Sequence, residues 1–406
     1  MRHDLEVAAR VIPDLSPNRF APAVVVAGTN GKGSVCWWLA GALQKAGYRV
    51  GLFTSPHLLD LRERIRIDGE PVSEALFLAA ANRARQAVAD RPEPLPRPPT
   101  YFEWLTFTAA ACFESLRPDV HVLEAGLGGR LDAVNVADPV LAVITTVGLD
   151  HCQILGDTIP AIAWEKLGIL RPGAPLVIGP QSGWAEPLAD EITERCARLV
   201  QARTEDLDEW LDAGTPAQLA GQNGLGLAGG FQRFNAATVL AVARELVRLG
   251  WRIPDQAVRD ALRQGGWPGR LQRISADPEI LLDGAHNVPA MELLVAEFKG
   301  AGIRPVVVFG AMRDKDYAGM MDILSPAAAE ILLTRAPGSR AAGAEAFEPL
   351  CRRLGCEYLE LPEEALRRAV TLAAGRTPVL VTGSLYLVAE VLRLHAGPER
   401  RLGTDA

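Results

Sequence analysis

The stretch Ala23-Val24-Val25-Val26-Ala27-Gly28-Thr29-Asn30-Gly31-Lys32-Gly33-Ser34 decides the fold class of this chain. Residues 23–27 are apolar without alternation, the pattern of a strand buried on both faces. Behind them, glycines let backbone N–H groups curl around an anion, and a helix opening there adds the favourable end of its dipole. Val35, Trp38, Leu39, Ala42, Leu43 and Ala46 form an i, i+3, i+4, i+7 stripe that ends at Gly47, so an amphipathic helix is expected. Lys32 can reach a terminal phosphate, and Ser34 a phosphate or its Mg²⁺. The spacing is a P-loop form shorter by two residues than GxxxxGK[ST]. Gly28, Thr29, Asn30, Gly31, Lys32, Gly33 and Ser34 are therefore expected to bind a nucleoside triphosphate. The bland alternative is a glycine-rich strand–helix turn with one surface lysine.

Working outward, short apolar runs recur at Asp119–Leu123, Val140–Val147, Pro175–Ile178, Pro305–Phe309, Glu330–Leu333 and Pro378–Val381, with helical stretches between them. Such alternation predicts an α/β protein with mostly parallel sheets and helices on both faces. At about 150 residues per domain, 406 residues suggest two or three domains. The proline-rich stretch 92–99 (PEPLPRPP) reads as an exposed connector. Residues 213–230, rich in Gly and Ala, read as a loop or irregular hairpin. A break at Gly265–Ala276 precedes a fresh run of α/β units, which predicts a P-loop domain over 1–275 and a smaller Rossmann-like α/β domain over 276–406.

Composition removes several classes. Hydrophobic residues make up 49% and charged residues 22%, which excludes disorder and fibrous repeats. A net charge of −7 argues against a broad nucleic-acid footprint. Asp4 and Glu6 stand where a signal peptide needs an apolar core, and the longest uncharged stretch, 213–232, is too polar to span a bilayer. The cysteines at 36, 112, 152, 196, 351 and 356 include no CxxC pair and are too sparse for a disulfide framework. A cytoplasmic protein that engages neither membrane nor nucleic acid is expected.

A P-loop alone leaves a switch GTPase, a motor, a kinase and a ligase open, although no guanine-reading NKxD occurs. Further blocks narrow the choice: Thr54-Ser55-Pro56-His57, the segment 63–71 (ERIRIDGEP), Thr100-Tyr101-Phe102-Glu103, the segment 123–133 (LEAGLGGRLDA) and Leu149-Asp150-His151. They continue through Glu165-Lys166-Leu167-Gly168-Ile169, Asn235-Ala236-Ala237, Pro268-Gly269-Arg270, Asp283-Gly284-Ala285-His286-Asn287, Asp314-Lys315-Asp316 and the segment 381–386 (VTGSLY). In this order the chain resembles folylpolyglutamate synthase/dihydrofolate synthase, a family of ATP-dependent amide ligases related to the Mur ligases. Leu167 and Gly284 depart from the residues usual there, and neither departure removes a functional side chain.

The resemblance implies a reaction that joins a pteroate or folate carboxylate to the amine of L-glutamate through an acyl phosphate. Its substrates would be dihydropteroate, reduced folates, L-glutamate and ATP, with two Mg²⁺ ions as cofactors and a monomeric enzyme. Glu124 ends an apolar run, where ligands collect in open α/β sheets, and an oxygen donor suits Mg²⁺. Ser55 and His151 are the other metal ligands implied. The family's lysine at the position of Lys166 is carbamylated, whereas the residues alone read it as a solvated helix lysine. Lys32, Lys166 and His151 form the implied catalytic set. Asn235, Arg270, Asp283 and His286 match residues that bind ATP, with an Asx-turn as the structural alternative for the last two. Thr100, Tyr101, Phe102, Glu103, Leu131, Asp132 and Ala133, with Lys166, match the substrate-binding segments. The rivals are a monofunctional folylpolyglutamate synthase, which differs in the pterin pocket, and another Mur-type ligase. With about 23 residues ahead of the first strand, a preceding UDP-sugar domain is not expected.

Overall fold

The computed structural model describes residues 4–181, 183–211 and 224–396, which divide into two units. The first holds residues up to 148, then 152–211 and 232–264. The second holds 149–151, 224–231 and 265–396. The tripeptide Leu149–His151 thus belongs with the second unit although the chain on both sides of it belongs to the first.

The first unit is built on strands β1 (Ala23–Ala27), β2 (Val50–Phe53), β3 (Ile65–Ile67), β4 (Glu70–Pro71), β5 (Val120–Glu124), β6 (Pro139–Ile144), β7 (Pro175–Ile178) and β8 (Arg198–Gln201). They form one sheet in the order β4-β3-β2-β5-β1-β6-β7-β8. All pairs from β2 to β8 in that order are parallel, while β3 and β4 add antiparallel partners at one edge. β1 and β5 are buried along their whole length, as a nearly continuous apolar run requires when helices cover both faces. The register sets Val26 beside Glu124 and Ala27 beside Ile144, so the ends of three parallel strands open onto the phosphate loop. That is where α/β sheets place their ligands.

The helix Lys32–Lys45 departs from the amphipathic expectation, because every residue from Gly33 to Leu43 is buried. Its outer face is covered by the helices Gln232–Arg248 and Asp255–Leu262, and Trp38 Nε1 donates to the Gln264 carbonyl at 3.0 Å. Gly41 permits the close approach, since a Cβ there would lie 3.5 Å from that of Ala261. An N-terminal helix, Glu6–Leu15, buries Val7, Val11, Ile12 and Leu15 against the helices Glu74–Ala89 and Tyr101–Leu116. Each such side chain contributes about 1.5–3 kcal/mol of apolar burial. The proline-rich stretch 92–99 carries no helix or strand and is anchored by Arg97, which pairs with Glu103 at 2.7 Å and Asp4 at 3.2 Å.

The second unit carries β9 (Gln272–Ala276), β10 (Glu279–Leu282), β11 (Val306–Phe309), β12 (Glu330–Thr334), β13 (Glu357–Leu359) and β14 (Val379–Thr382). Their order is β13-β12-β11-β14-β10-β9, parallel throughout except for the antiparallel edge β9. Met291, Phe298, Phe309, Met320, Met321 and Phe347 fill its core, with Phe309 and Phe347 edge to face at 6.4 Å. Of the loop expected over 213–230, residues 213–223 lie outside the described residues and 224–230 carry neither helix nor strand.

Candidate active site

The phosphate loop leaves β1 at Gly28 and enters the helix at Lys32. Two glycines have no substitute here. Gly31 has φ +85°, and a Cβ on it would lie 2.2 Å from Asn235 Oδ1. A Cβ on Gly28 would lie 1.9 Å from Thr145 Oγ1. Lys32 Nζ donates to the carbonyls of Gly28 and Thr29 at 3.0 and 3.1 Å, so the ammonium is folded over the loop it serves. Ser34 Oγ is buried with no hydrogen-bond partner among the described residues. An orphaned hydroxyl in the first turn of a P-loop helix suits an oxygen-seeking cation or a phosphate.

The loop is pinned from the end of β6. Thr145 Oγ1 donates to the Asn30 carbonyl at 2.6 Å, and Thr146 Oγ1 accepts from Asn30 N at 3.0 Å. Thr29 Oγ1 accepts from Gly148 N at 3.0 Å. Asn235 Nδ2 donates to Gln232 Oε1 at 2.8 Å, while Gln232 Nε2 is a buried donor without a partner among the described residues. Sequence reasoning missed Thr145, Thr146 and Gln232. Two threonines following an apolar strand were the available signal for the first pair.

Glu124, at the end of β5, is buried, and its Oε2 accepts from the backbone N–H of Ser55 at 2.9 Å. The structure thus brings two expected metal ligands together. Phe102 packs over this corner, 5.7 Å from Phe53 and close enough to Gly126 that a Cβ there would meet its ring at 2.7 Å. Tyr101 is 61% exposed, with the Arg64 guanidinium 5.7 Å from its ring. Thr100 and Glu103 form a capping box: Thr100 Oγ1 accepts from Glu103 N at 3.2 Å, and Glu103 Oε2 from Thr100 N at 2.7 Å. These two side chains therefore start the helix Tyr101–Leu116, whichever ligand lies near.

The glycines that follow Glu124 let the chain run against the helix Ile159–Leu167. A Cβ on Gly129 would lie 2.8 Å from the Lys166 carbonyl. Arg130 pairs with Glu165 at 2.7 Å and lies 4.7 Å from the Trp164 ring. Lys166, read from the residues alone as a solvated lysine, is buried at 3% exposure. Asp132 accepts from Leu127 N at 2.8 Å and Val134 N at 3.1 Å, shaping the turn that carries Leu131 and Ala133. Burial pushes its carboxyl up to about 6, against the pull of those N–H groups and Lys32.

In the second unit Asp150 is a hub. It pairs with Lys315 Nζ at 2.5 Å and accepts from Asn287 Nδ2 at 2.9 Å, and His286 Nε2 lies 3.9 Å away. Burial would raise its pKa, but the Lys315 ammonium beside it holds it well below the usual carboxylate range. His151, at φ +52°, has Nε2 3.2 Å from Lys315 Nζ. His286 is pushed down to about 4 by burial, and next by the Lys315 ammonium. The ring is thus neutral at pH 7, and its 2.7 Å contact with the Gly284 carbonyl places the proton on Nδ1. Asp283 accepts from Leu271 N and Ala285 N, both at 2.8 Å. Burial raises its carboxyl against the attraction of Arg270, which closes on Gly284: a Cβ there would lie 2.9 Å from Arg270 Nη1.

The profile of the Mur ligase glutamate ligase domain matches residues 269–385. The dihydrofolate synthase/folylpolyglutamate synthase of Bacillus subtilis is 35% identical over 389 residues, covering 92% of this chain and 90% of that protein. The chain belongs to the folylpolyglutamate synthase/dihydrofolate synthase family. Escherichia coli FolC in complex with DHPP and ADP superposes with a TM-score of 0.84 at 32% identity, covering 97% of this chain and 93% of that one. The bifunctional folylpolyglutamate synthase/dihydrofolate synthase with Mn, AMPPNP and L-glutamate bound gives 0.80 at 31% identity, covering 98% and 95%. As a member of this ligase family the chain shares the Mur ligase fold. Among the described residues no three His, Cys, Asp or Glu side chains converge as a preformed metal site, and none is long and apolar enough as a helix to cross a membrane. The orphaned Ser34 hydroxyl suits an oxygen-seeking cation or a phosphate, and the buried Glu124 is an oxygen donor of the kind Mg²⁺ prefers.

Proposed function

We propose that this chain is a bifunctional ligase, adding L-glutamate both to dihydropteroate and to reduced folates, with ATP consumed at each addition. The observation that carries the ATP-dependent step is the phosphate loop, whose lysine is folded over the loop and whose buried Ser34 hydroxyl lacks a partner.

The chemistry starts from a carboxylate, a poor acyl donor because its leaving group would be oxide. A carboxylate oxygen attacks the γ-phosphorus, ADP leaves, and an acyl phosphate forms. The glutamate amine, having lost its proton, then attacks the acyl carbon; the tetrahedral intermediate collapses with loss of phosphate and an amide remains. Backbone N–H groups of residues 31–34 and Lys32 hold the phosphates, and the same donors stabilise charge that grows as ADP departs. Mg²⁺, two ions in this reading, would supply charge neutralisation for the phosphoryl transfer when bound; Ser55, Glu124, His151 and a carbamate on Lys166 are the groups that would hold it. Carbamylation would turn the buried Lys166 from a cation into an anion with oxygen donors able to face a hard cation. Asn235, Arg270, Asp283 and His286 bind the nucleotide, Arg270 through its planar fork. Phe102, Tyr101 and the turn Leu131–Ala133 take the pterin side, with Thr100 and Glu103 fixing the helix that presents the aromatics. The enzyme acts as a cytoplasmic monomer on small molecules.

Steady-state assays with dihydropteroate and tetrahydrofolate in parallel test this proposal. Both acceptors should support glutamate-dependent ADP release. Turnover with tetrahydrofolate alone would replace it by the monofunctional reading.

A further inference from the structure

On the first unit, a cavity of about 210 Å³ opens between the edge strand β8, the helix Thr204–Trp210 and the helix Gln232–Arg248. Arg198, Arg203, Arg244 and Arg248 line it, against the two carboxylates of Asp206 and Glu245. Four arginines in one cleft are not a by-product of general basicity, because the chain as a whole carries −7.

The charges divide into two sets. Glu245 is buried and already neutralised, by Arg248 at 2.7 Å and Arg198 at 3.3 Å. Among the described residues Arg203 meets only Glu205, at 3.8 Å on an exposed surface, and Arg244 has no ion-pair or hydrogen-bond partner. Two guanidinium forks are thus left to a ligand above an apolar floor that includes Leu240. Planar forks in a concave site match carboxylate or phosphate oxygens two at a time. The floor belongs to the helix whose first turn carries Gln232 and Asn235, so a ligand here grips the element that packs on the phosphate loop.

We propose that this cleft is a second ligand site, for a small polyanion bearing carboxylate or phosphate groups, held by Arg203 and Arg244. Asp206 opposes such a ligand and sets its affinity. Nothing in the ligase chemistry uses these residues, so the site stands apart from the function proposed above.

The test measures binding of inorganic phosphate and of tricarballylate by calorimetry, in the Lys32→Ala protein so that the phosphate loop contributes least. Saturable binding of one or both is expected, the tighter probe identifying the acidic group. Arg203→Ala/Arg244→Ala should weaken it by at least about tenfold. Asp206→Asn should tighten it by a few-fold, a direction that mere loss of structure would not produce. In the otherwise native enzyme the arginine pair variant should keep its basal ligase rate, both side chains being exposed. Absence of saturable binding by either probe, or binding unchanged in Arg203→Ala/Arg244→Ala, overturns the proposal.

Discussion

Lys32 shows how one side chain can be central to turnover and marginal to folding. Its Nζ bridges two loop carbonyls, contacts worth roughly 1 kcal/mol each in net stability. Lys32→Ala should therefore lower the melting temperature by a few degrees at most while ligase turnover falls below about a tenth of wild type, a penalty above ~1.4 kcal/mol. A variant that keeps more turnover than this removes the lysine from the phosphate site. Asp132 makes the opposite case. Its folded pKa of about 6 lies above the ordinary carboxylate value, so between roughly pH 4 and 6 the folded state binds more protons than the unfolded one. Stability from this group is accordingly present at low pH and lost as pH rises through 6. Asp132→Asn should flatten that part of the stability–pH curve, read from urea midpoints at pH 4, 5 and 6.5; an unchanged slope would mean the carboxyl titrates normally.

At the scale of elements, the phosphate loop is held by side chains from elsewhere in the sequence. Gly31→Ala should destabilise the protein and abolish nucleotide binding, because its Cβ meets Asn235 Oδ1 and its φ is +85°. Adding Asn235→Ala should restore part of the melting temperature without restoring activity, since the clash goes but a proposed nucleotide contact goes too. Full recovery of activity in the double variant would take Asn235 out of the site. Elements were unequally legible in the sequence. β1, β5, β7, β11, β12 and β14 announce themselves as nearly continuous apolar runs because helices cover both their faces. β6 ends at Ile144, before the expected Val147, because Thr145 and Thr146 turn to bind the phosphate loop. The strands at or beside the sheet edges, β3, β4, β8, β9 and β13, carry charged or polar residues and so left no apolar run to find. The helix behind the phosphate loop looked amphipathic because periodicity reports the chain's own stripe, and not the helices from 232–262 that come to cover its other face.

For the whole molecule, the motifs that suggested the family are spread from Gly28 to Tyr386, and agreement over such a span, with a matching fold, leaves little room for coincidence. What the sequence did not display was how residues far apart share one group, as Lys315 and Asn287 do through Asp150, since pairing at that separation has no periodicity. Lys166 is the place where local pattern and family diverge most: it is buried, where the residues alone suggest a solvated lysine. Lys166→Arg should be inactive at saturating ATP and Mg²⁺, because arginine keeps a cation but forms no carbamate; near-normal turnover would show that charge alone mattered. The most direct test of the ligase mechanism counts ADP. With wild-type protein, ATP and Mg²⁺, ADP release should require the pterin acid and L-glutamate together and match the amide formed one for one. Steady ADP release in the absence of both, at the rate seen with both present, would contradict it.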